Sequence, residues 1–68
     1  MEIQIALNGE PRKIPEGQTV LELLRQLELD PARVAVELNR KIVKPPLWSE
    51  TRLSEGAEIE VVQFVGGG

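Results

Sequence analysis

The sequence has no cysteine, no histidine and no tyrosine, and only one tryptophan and one phenylalanine. Without cysteine there can be no disulfide, no thiolate metal site and no thiol nucleophile. Without histidine the usual general base and the commonest metal ligand are missing too. Positive charge is scarce: 8 Lys and Arg face 11 Asp and Glu, giving a net charge of -3. That is the wrong sign for a phosphate-backbone binder, so no nucleic-acid partner is expected, and basic protein partners are compatible with it. Every apolar run is far shorter than a membrane span, and Met1-Glu2-Ile3 does not open a signal peptide. The expected setting is cytoplasmic, with no membrane partner. At 68 residues and 41% hydrophobic content the chain can build one small core. It has no mass for a second domain or an enclosed pocket of enzyme size, and it is not expected to catalyse anything alone.

What is present is clear patterning. Ile3, Ile5 and Leu7 alternate with Glu2, Gln4 and Ala6, which predicts a strand with one buried face. Asn8-Gly9 suits a type I′ hairpin turn, returning the chain through Glu10 to Ile14. Pro11 cannot donate a ladder hydrogen bond, so this second strand is expected at the sheet edge. Thr19 with Glu22 has capping-box spacing, and Val20, Leu23, Leu24 and Leu27 recur at helical period. The helix is therefore predicted from about Val20 to Leu27 or Glu28, with Asp30-Pro31 as a stop signal. Val34, Val36 and Leu38 give a third strand, and Asn39-Arg40 a tight turn into a short strand at Lys41 to Val43. Pro45-Pro46 ends it, and a single helical turn is expected to begin at Leu47-Trp48. After a turn at Ser54-Glu55-Gly56, Ile59 to Val65 reads as the last strand, with Ile59 and Val61 facing inward.

One helix with one apolar stripe covers only one face of such a sheet, so the fold class is two-layer α+β. The element order predicts a mixed sheet of four to five strands, with the first and last strands as parallel central neighbours. That is the β-grasp, or ubiquitin-like, arrangement. The division expected is a β-grasp domain over 1–65 and a flexible glycine tail over 66–68.

Several pieces carry a resemblance over the whole length. They are Asn8-Gly9, Gly17-Gln18-Thr19-Val20 leading into Leu21-Glu22-Leu23-Leu24, and Val34-Ala35-Val36-Glu37-Leu38-Asn39. Ile42-Val43, Trp48, Leu53-Ser54-Glu55-Gly56, Ile59-Glu60-Val61-Val62 and Phe64-Val65-Gly66-Gly67-Gly68 complete the set. In order and spacing they resemble the ThiS family of thiamine-biosynthesis sulfur carriers, relatives of the small subunit (MoaD) of molybdopterin synthase. One departure is Ala57, which stands where many ubiquitin-like carriers have aspartate. It is expected to alter turn hydrogen bonding and to leave the tail unaffected.

The tail chemistry can be approached by elimination. With cysteine and histidine absent, the distinctive reactive group is the terminal carboxylate of Gly68. A free carboxylate is a poor electrophile, and adenylation with ATP makes it a mixed anhydride with a good leaving group. Sulfide or a persulfide can then displace AMP and leave a thiocarboxylate, which is group-carrier logic. The resemblance implies a ThiF-type adenylyltransferase to activate the tail and a cysteine desulfurase as sulfur source. It also implies a ThiG-type thiazole synthase to consume the product. No cofactor is expected on the chain itself; ATP is used by the partner. Gly66 and Gly67 would thread a narrow channel, since glycine takes any φ that the partner demands. Three extended residues reach roughly 10 Å beyond the last strand. A side chain at Gly67 or Gly68 is expected to obstruct, while Gly66 tolerates more. The plainer alternative for all three is a frayed or appended end.

Glu60, Val62 and Phe64 share the face opposite Ile59 and Val61, and Val62 and Phe64 are candidates for docking the activating enzyme. Alternatively Phe64 folds back over the sheet margin. Trp48 either caps the open end of the core or serves as an exposed anchor. Glu16, Glu22, Glu28, Glu50, Glu55 and Glu58 read as a solvated acidic surface without an acid–base dyad or metal site. Asn39 is expected to satisfy backbone groups in its turn. Other uses of such a tail remain open: sulfur delivery to molybdopterin or another cofactor or amino acid, or transfer to lysine amines as a protein tag. A non-covalent β-grasp interaction module is open as well.

Overall fold

Asn8 and Gly9 both have positive φ, 51° and 83°, as a type I′ turn requires. They join strand β1 (Glu2–Leu7) to β2 (Glu10–Pro15) in an antiparallel hairpin, with Ile3 opposite Ile14 and Leu7 opposite Glu10. The coordinates are a computed structural model that describes residues 1–65. Gly66, Gly67 and Gly68, and the flexible tail expected there, lie outside the described residues.

Helix α1 (Val20–Gln26) begins with the expected capping box. The Thr19 hydroxyl accepts from the Glu22 N–H at 3.1 Å, and Glu22 Oε1 accepts from the Thr19 N–H at 2.9 Å. That backbone bond and the Thr19 hydroxyl, with the charges of Arg52 and Arg25 adding to them, hold the Glu22 carboxyl below the ordinary glutamate range against the opposing effect of desolvation. A value lower in the folded than in the unfolded chain contributes stability above the ordinary range, and that contribution is lost as pH falls through the lowered value. Glu22→Gln is therefore expected to be less stable than the native chain near neutral pH and to match it in acid. Parallel unfolding curves across the whole pH range would contradict this.

The helix ends without glycine. Leu27 is the C-cap, and Glu28 takes the left-handed conformation at φ 58°. The Glu28 N–H donates to the Arg25 carbonyl and the Leu29 N–H to the Leu24 carbonyl, the paired bonds of a Schellman motif. Asp30-Pro31 is more than a stop: Pro31–Arg33 forms a 3-10 turn capped by Asp30, whose Oδ1 accepts from the Ala32 N–H at 2.9 Å.

Strand β3 (Val34–Leu38) turns through Asn39 and Arg40, φ 51° and 70°, into β4 (Lys41–Val43). Arg40 occupies the position where a type I′ turn favours glycine, so its backbone is strained there. The second 3-10 turn spans Pro45–Leu47 with Trp48 as its C-cap. It starts two residues before the expected Leu47, because Pro45 is itself the preset first residue rather than a breaker ahead of it. The last strand, β5 (Glu58–Gln63), is displaced from the expected Ile59–Val65: it starts one residue earlier, at Glu58, and stops at Gln63, with Phe64 and Val65 beyond it.

The five strands form one sheet in the order β2-β1-β5-β3-β4. β5 runs parallel to β1 and antiparallel to β3, and β2, with its Pro11, is at an edge. α1 packs Val20, Leu23 and Leu24 against Ile5, Ile14, Val36 and Ile59 from one face. Trp48, Leu53 and Ala57 close the same core. Ala57 is only 4% exposed, so the position is a packed core site; its N–H closes the turn on the Ser54 carbonyl at 3.0 Å. Among the described residues no helix is long and apolar enough to cross a membrane.

Candidate functional site

β5 leads toward the C-terminal glycines and is the central strand of the sheet. Alternation sends Ile59 and Val61 toward the helix and Glu58, Glu60 and Val62 to the other side. Ile59 is 1% exposed, and Val61 packs at the core margin. On the uncovered face Val62 lies opposite Ala35, Glu60 opposite Glu37, and Glu37 opposite Ile42. Val62 and Phe64 are 58% and 57% exposed, and Ile42 is 75% exposed. Phe64 therefore does not fold into the core. Its N–H donates to the Arg33 carbonyl at 2.7 Å, prolonging the β3 side of the ladder past the end of the strand.

Beside these apolar side chains is a shallow depression of about 170 Å³ lined by Glu37, Arg40, Glu58 and Glu60. Glu37 and Glu60 face each other directly across two strands, an arrangement that costs stability because like charges repel. The strained Arg40 is the cation in that group. The sequence pattern places Glu60, Val62 and Phe64 on this face and does not place Ile42, Ala35 and Glu37 there. Ile42 alternates with Lys41 and Val43, but only the register of β4 on β3 shows that it shares a face with Val62.

Trp48 is placed in the core, 2% exposed, with Nε1 donating to the Val43 carbonyl at 2.8 Å. It is a structural cap and does not join the exposed face. Glu16, Glu22, Glu28, Glu50, Glu55 and Glu58 are all exposed. Asn39 does satisfy backbone groups: its Oδ1 accepts from the Glu58 N–H at 3.0 Å. The face can hold a protein surface. Candidate residues Gly66, Gly67 and Gly68 follow Val65 in the chain and belong to the 66–68 segment already set apart.

A five-stranded mixed sheet with parallel central strands and one helix on one face defines a ubiquitin-like β-grasp protein. The ThiS family model matches residues 5–68. Over 66 residues the chain is 35% identical to the sulfur carrier protein ThiS of Escherichia coli, covering 97% of this chain and 100% of that one. The crystal structure of the thiamine biosynthesis protein ThiS from Geobacter metallireducens superposes with a TM-score of 0.84 at 30% identity, covering 97% of this chain and 100% of that chain. A thiazole synthase of Magnetococcus marinus is 42% identical over 66 residues, 97% of this chain, which spans only 20% of that protein's length. The chain belongs to the ThiS family.

Proposed function

We propose that this chain is a sulfur carrier for thiamine biosynthesis, acting as a protein substrate rather than an enzyme. The observation that carries this function is the family match, which runs from Ile5 in the first strand to Gly68. In this scheme a ThiF-type adenylyltransferase joins the Gly68 carboxylate to AMP and releases pyrophosphate from ATP. Sulfide displaces AMP directly, or a persulfide displaces it to give an acyl disulfide that a thiol then reduces. Either route leaves a thiocarboxylate, with a cysteine desulfurase as the source of sulfur. A ThiG-type thiazole synthase consumes it. The fused length of the Magnetococcus relative, a thiazole synthase containing a region similar to this chain, supports that pairing. The chain binds no cofactor of its own, and ATP is bound by the partner. The reaction is assigned to the cytoplasm, where ATP and desulfurase are found together.

Val62 and Phe64 dock the adenylyltransferase in this scheme, with Ile42 extending the contact. The unfavourable Glu37–Glu60 pair favours a partner surface that brings a lysine or arginine to the depression, where it would relieve the repulsion. Gly66 and Gly67 thread the nucleotide channel. Phe64→Ala is expected to raise the KM for the carrier about tenfold, as loss of an aromatic contact does. The unfolding temperature should stay within about 4 °C of native, because the side chain is exposed. ATP–pyrophosphate exchange dependent on the chain measures the first effect. A large fall in stability with native exchange would instead make Phe64 part of the fold.

A further inference from the structure

Both tight hairpin turns carry asparagine at their first central position, and both asparagines reach β5. At its start, the Asn39 N–H donates to the Glu58 carbonyl at 2.7 Å and Asn39 Oδ1 accepts from the Glu58 N–H. Asn8 grips further along, from the opposite side. Its N–H donates to the Ile59 carbonyl at 2.9 Å, its Oδ1 accepts from the Val61 N–H at 2.8 Å, and its Nδ2 donates to the Val61 carbonyl at 3.3 Å.

The register explains why this second grip matters. β1 pairs with β5 only at Ala6–Glu58 and Leu7–Ile59, then turns away at Asn8. From Glu60 onward β5 has outrun its parallel neighbour, while β3 still pairs as far as Gln63. A side-chain amide carries both N–H donors and a carbonyl acceptor, the same two kinds of group as a peptide unit. Asn8 thereby stands in for the missing β1 residue and extends the ladder to Val61. Three residues later the Phe64 N–H is held from the β3 side by the Arg33 carbonyl.

We propose that Asn8 is a positioning residue for the carrier reaction. Its side chain holds the outgoing half of β5 so that Phe64 and Val65 leave the body in one direction. The proposal rests on the sulfur-carrier function above. A strand end secured on one side only frays at low cost, and a reacting group on a fraying strand spends less time in line with its target. Asn8 therefore acts on the frequency of productive tail placement, whereas the exposed face acts on docking.

Three variants of the full chain test it. Asn8→Gly keeps the positive φ of the turn and removes both side-chain bonds. Asn8→Asp keeps an acceptor for the Val61 N–H and loses the donor. Asn39→Gly removes the comparable bond at Glu58, at the other end of β5. Amide exchange at Val61 is measured for each, together with pyrophosphate release by a ThiF-type adenylyltransferase over a range of carrier concentrations. Asn8→Gly is expected to speed Val61 exchange and lower kcat about tenfold, with KM little changed. Asn8→Asp should recover part of kcat, and Asn39→Gly should keep native kcat even where it lowers the unfolding temperature as much. Native kcat in Asn8→Gly overturns the proposal. So does an equal fall in both glycine variants, which would mean that lost stability alone sets the rate, or unchanged exchange at Val61. If the native chain releases no pyrophosphate, the carrier function itself fails and takes the proposal with it; that result is seen before any variant is compared.

Discussion

Deleting Gly68 is expected to reduce adenylation by about 100-fold or more while leaving thermal unfolding within about 4 °C of the native chain. Loss of one residue shortens the reach of the chain by about 3.5 Å, and misplacement by about 1 Å is enough to cost about 100-fold in a positioned reaction. Stability should persist because Ile5, Ile14, Val20, Leu23, Leu24, Val34, Val36, Trp48, Leu53, Ala57 and Ile59 form the core, well before the deleted residue. Pyrophosphate release and circular dichroism melting read the two quantities separately. A deletion that unfolds the domain would give Gly68 a structural role. A deletion that is adenylated as well as the native chain would place the reacting group elsewhere.

The second large effect is on stability. Trp48→Ala is expected to cost about 3–5 kcal/mol, from lost packing and the cavity left behind. It also strands the Val43 carbonyl that now accepts from Nε1. A domain of this length has roughly 3–10 kcal/mol in total, so much of the variant should be unfolded at room temperature. The damage should spread, since the Trp48 segment is tied to the helix start. The Leu21 N–H donates to the Trp48 carbonyl at 3.1 Å and the Val20 N–H to the Thr51 carbonyl at 2.9 Å. Urea unfolding followed by far-ultraviolet circular dichroism measures the loss. A change below about 1 kcal/mol accompanied by weaker partner binding would instead make Trp48 the exposed anchor considered above.

Much of the fold was legible because its signals are local. Period-two alternation marked β1 and β3, Asn8-Gly9 marked the first hairpin, and Thr19 with Glu22 marked the helix start to the residue. Pro11 correctly placed β2 at an edge. The misses share a different cause. Glu28 closes the helix in a left-handed conformation that glycine would have advertised, and the Schellman bonds are backbone bonds with no side-chain signature. Pro31 and Pro45 look like breakers but start 3-10 turns.

The candidate site was legible in part for the same reason. Val62 and Phe64 followed from alternation along one strand. Glu60 joins them by the same alternation, whereas Ile42, Ala35 and Glu37 do so only through the pairing of β4 on β3 and β3 on β5, which no local pattern specifies. Asn8 is the sharpest case. Its residue type was fully explained by the turn, so nothing in the sequence called for a second role. The bonds to Val61 come from a residue 53 positions away.

Intact-protein mass spectrometry tests the central claim most directly. The chain is incubated with a ThiF-type adenylyltransferase, ATP, a cysteine desulfurase, cysteine and a thiol reductant. A mass gain equal to replacing one oxygen by sulfur, located on Gly68 and absent from the Gly68 deletion, is the predicted result. An unchanged mass, with the same enzymes shown to load another carrier, would contradict it and point to a different carrier pathway or to a non-covalent β-grasp module.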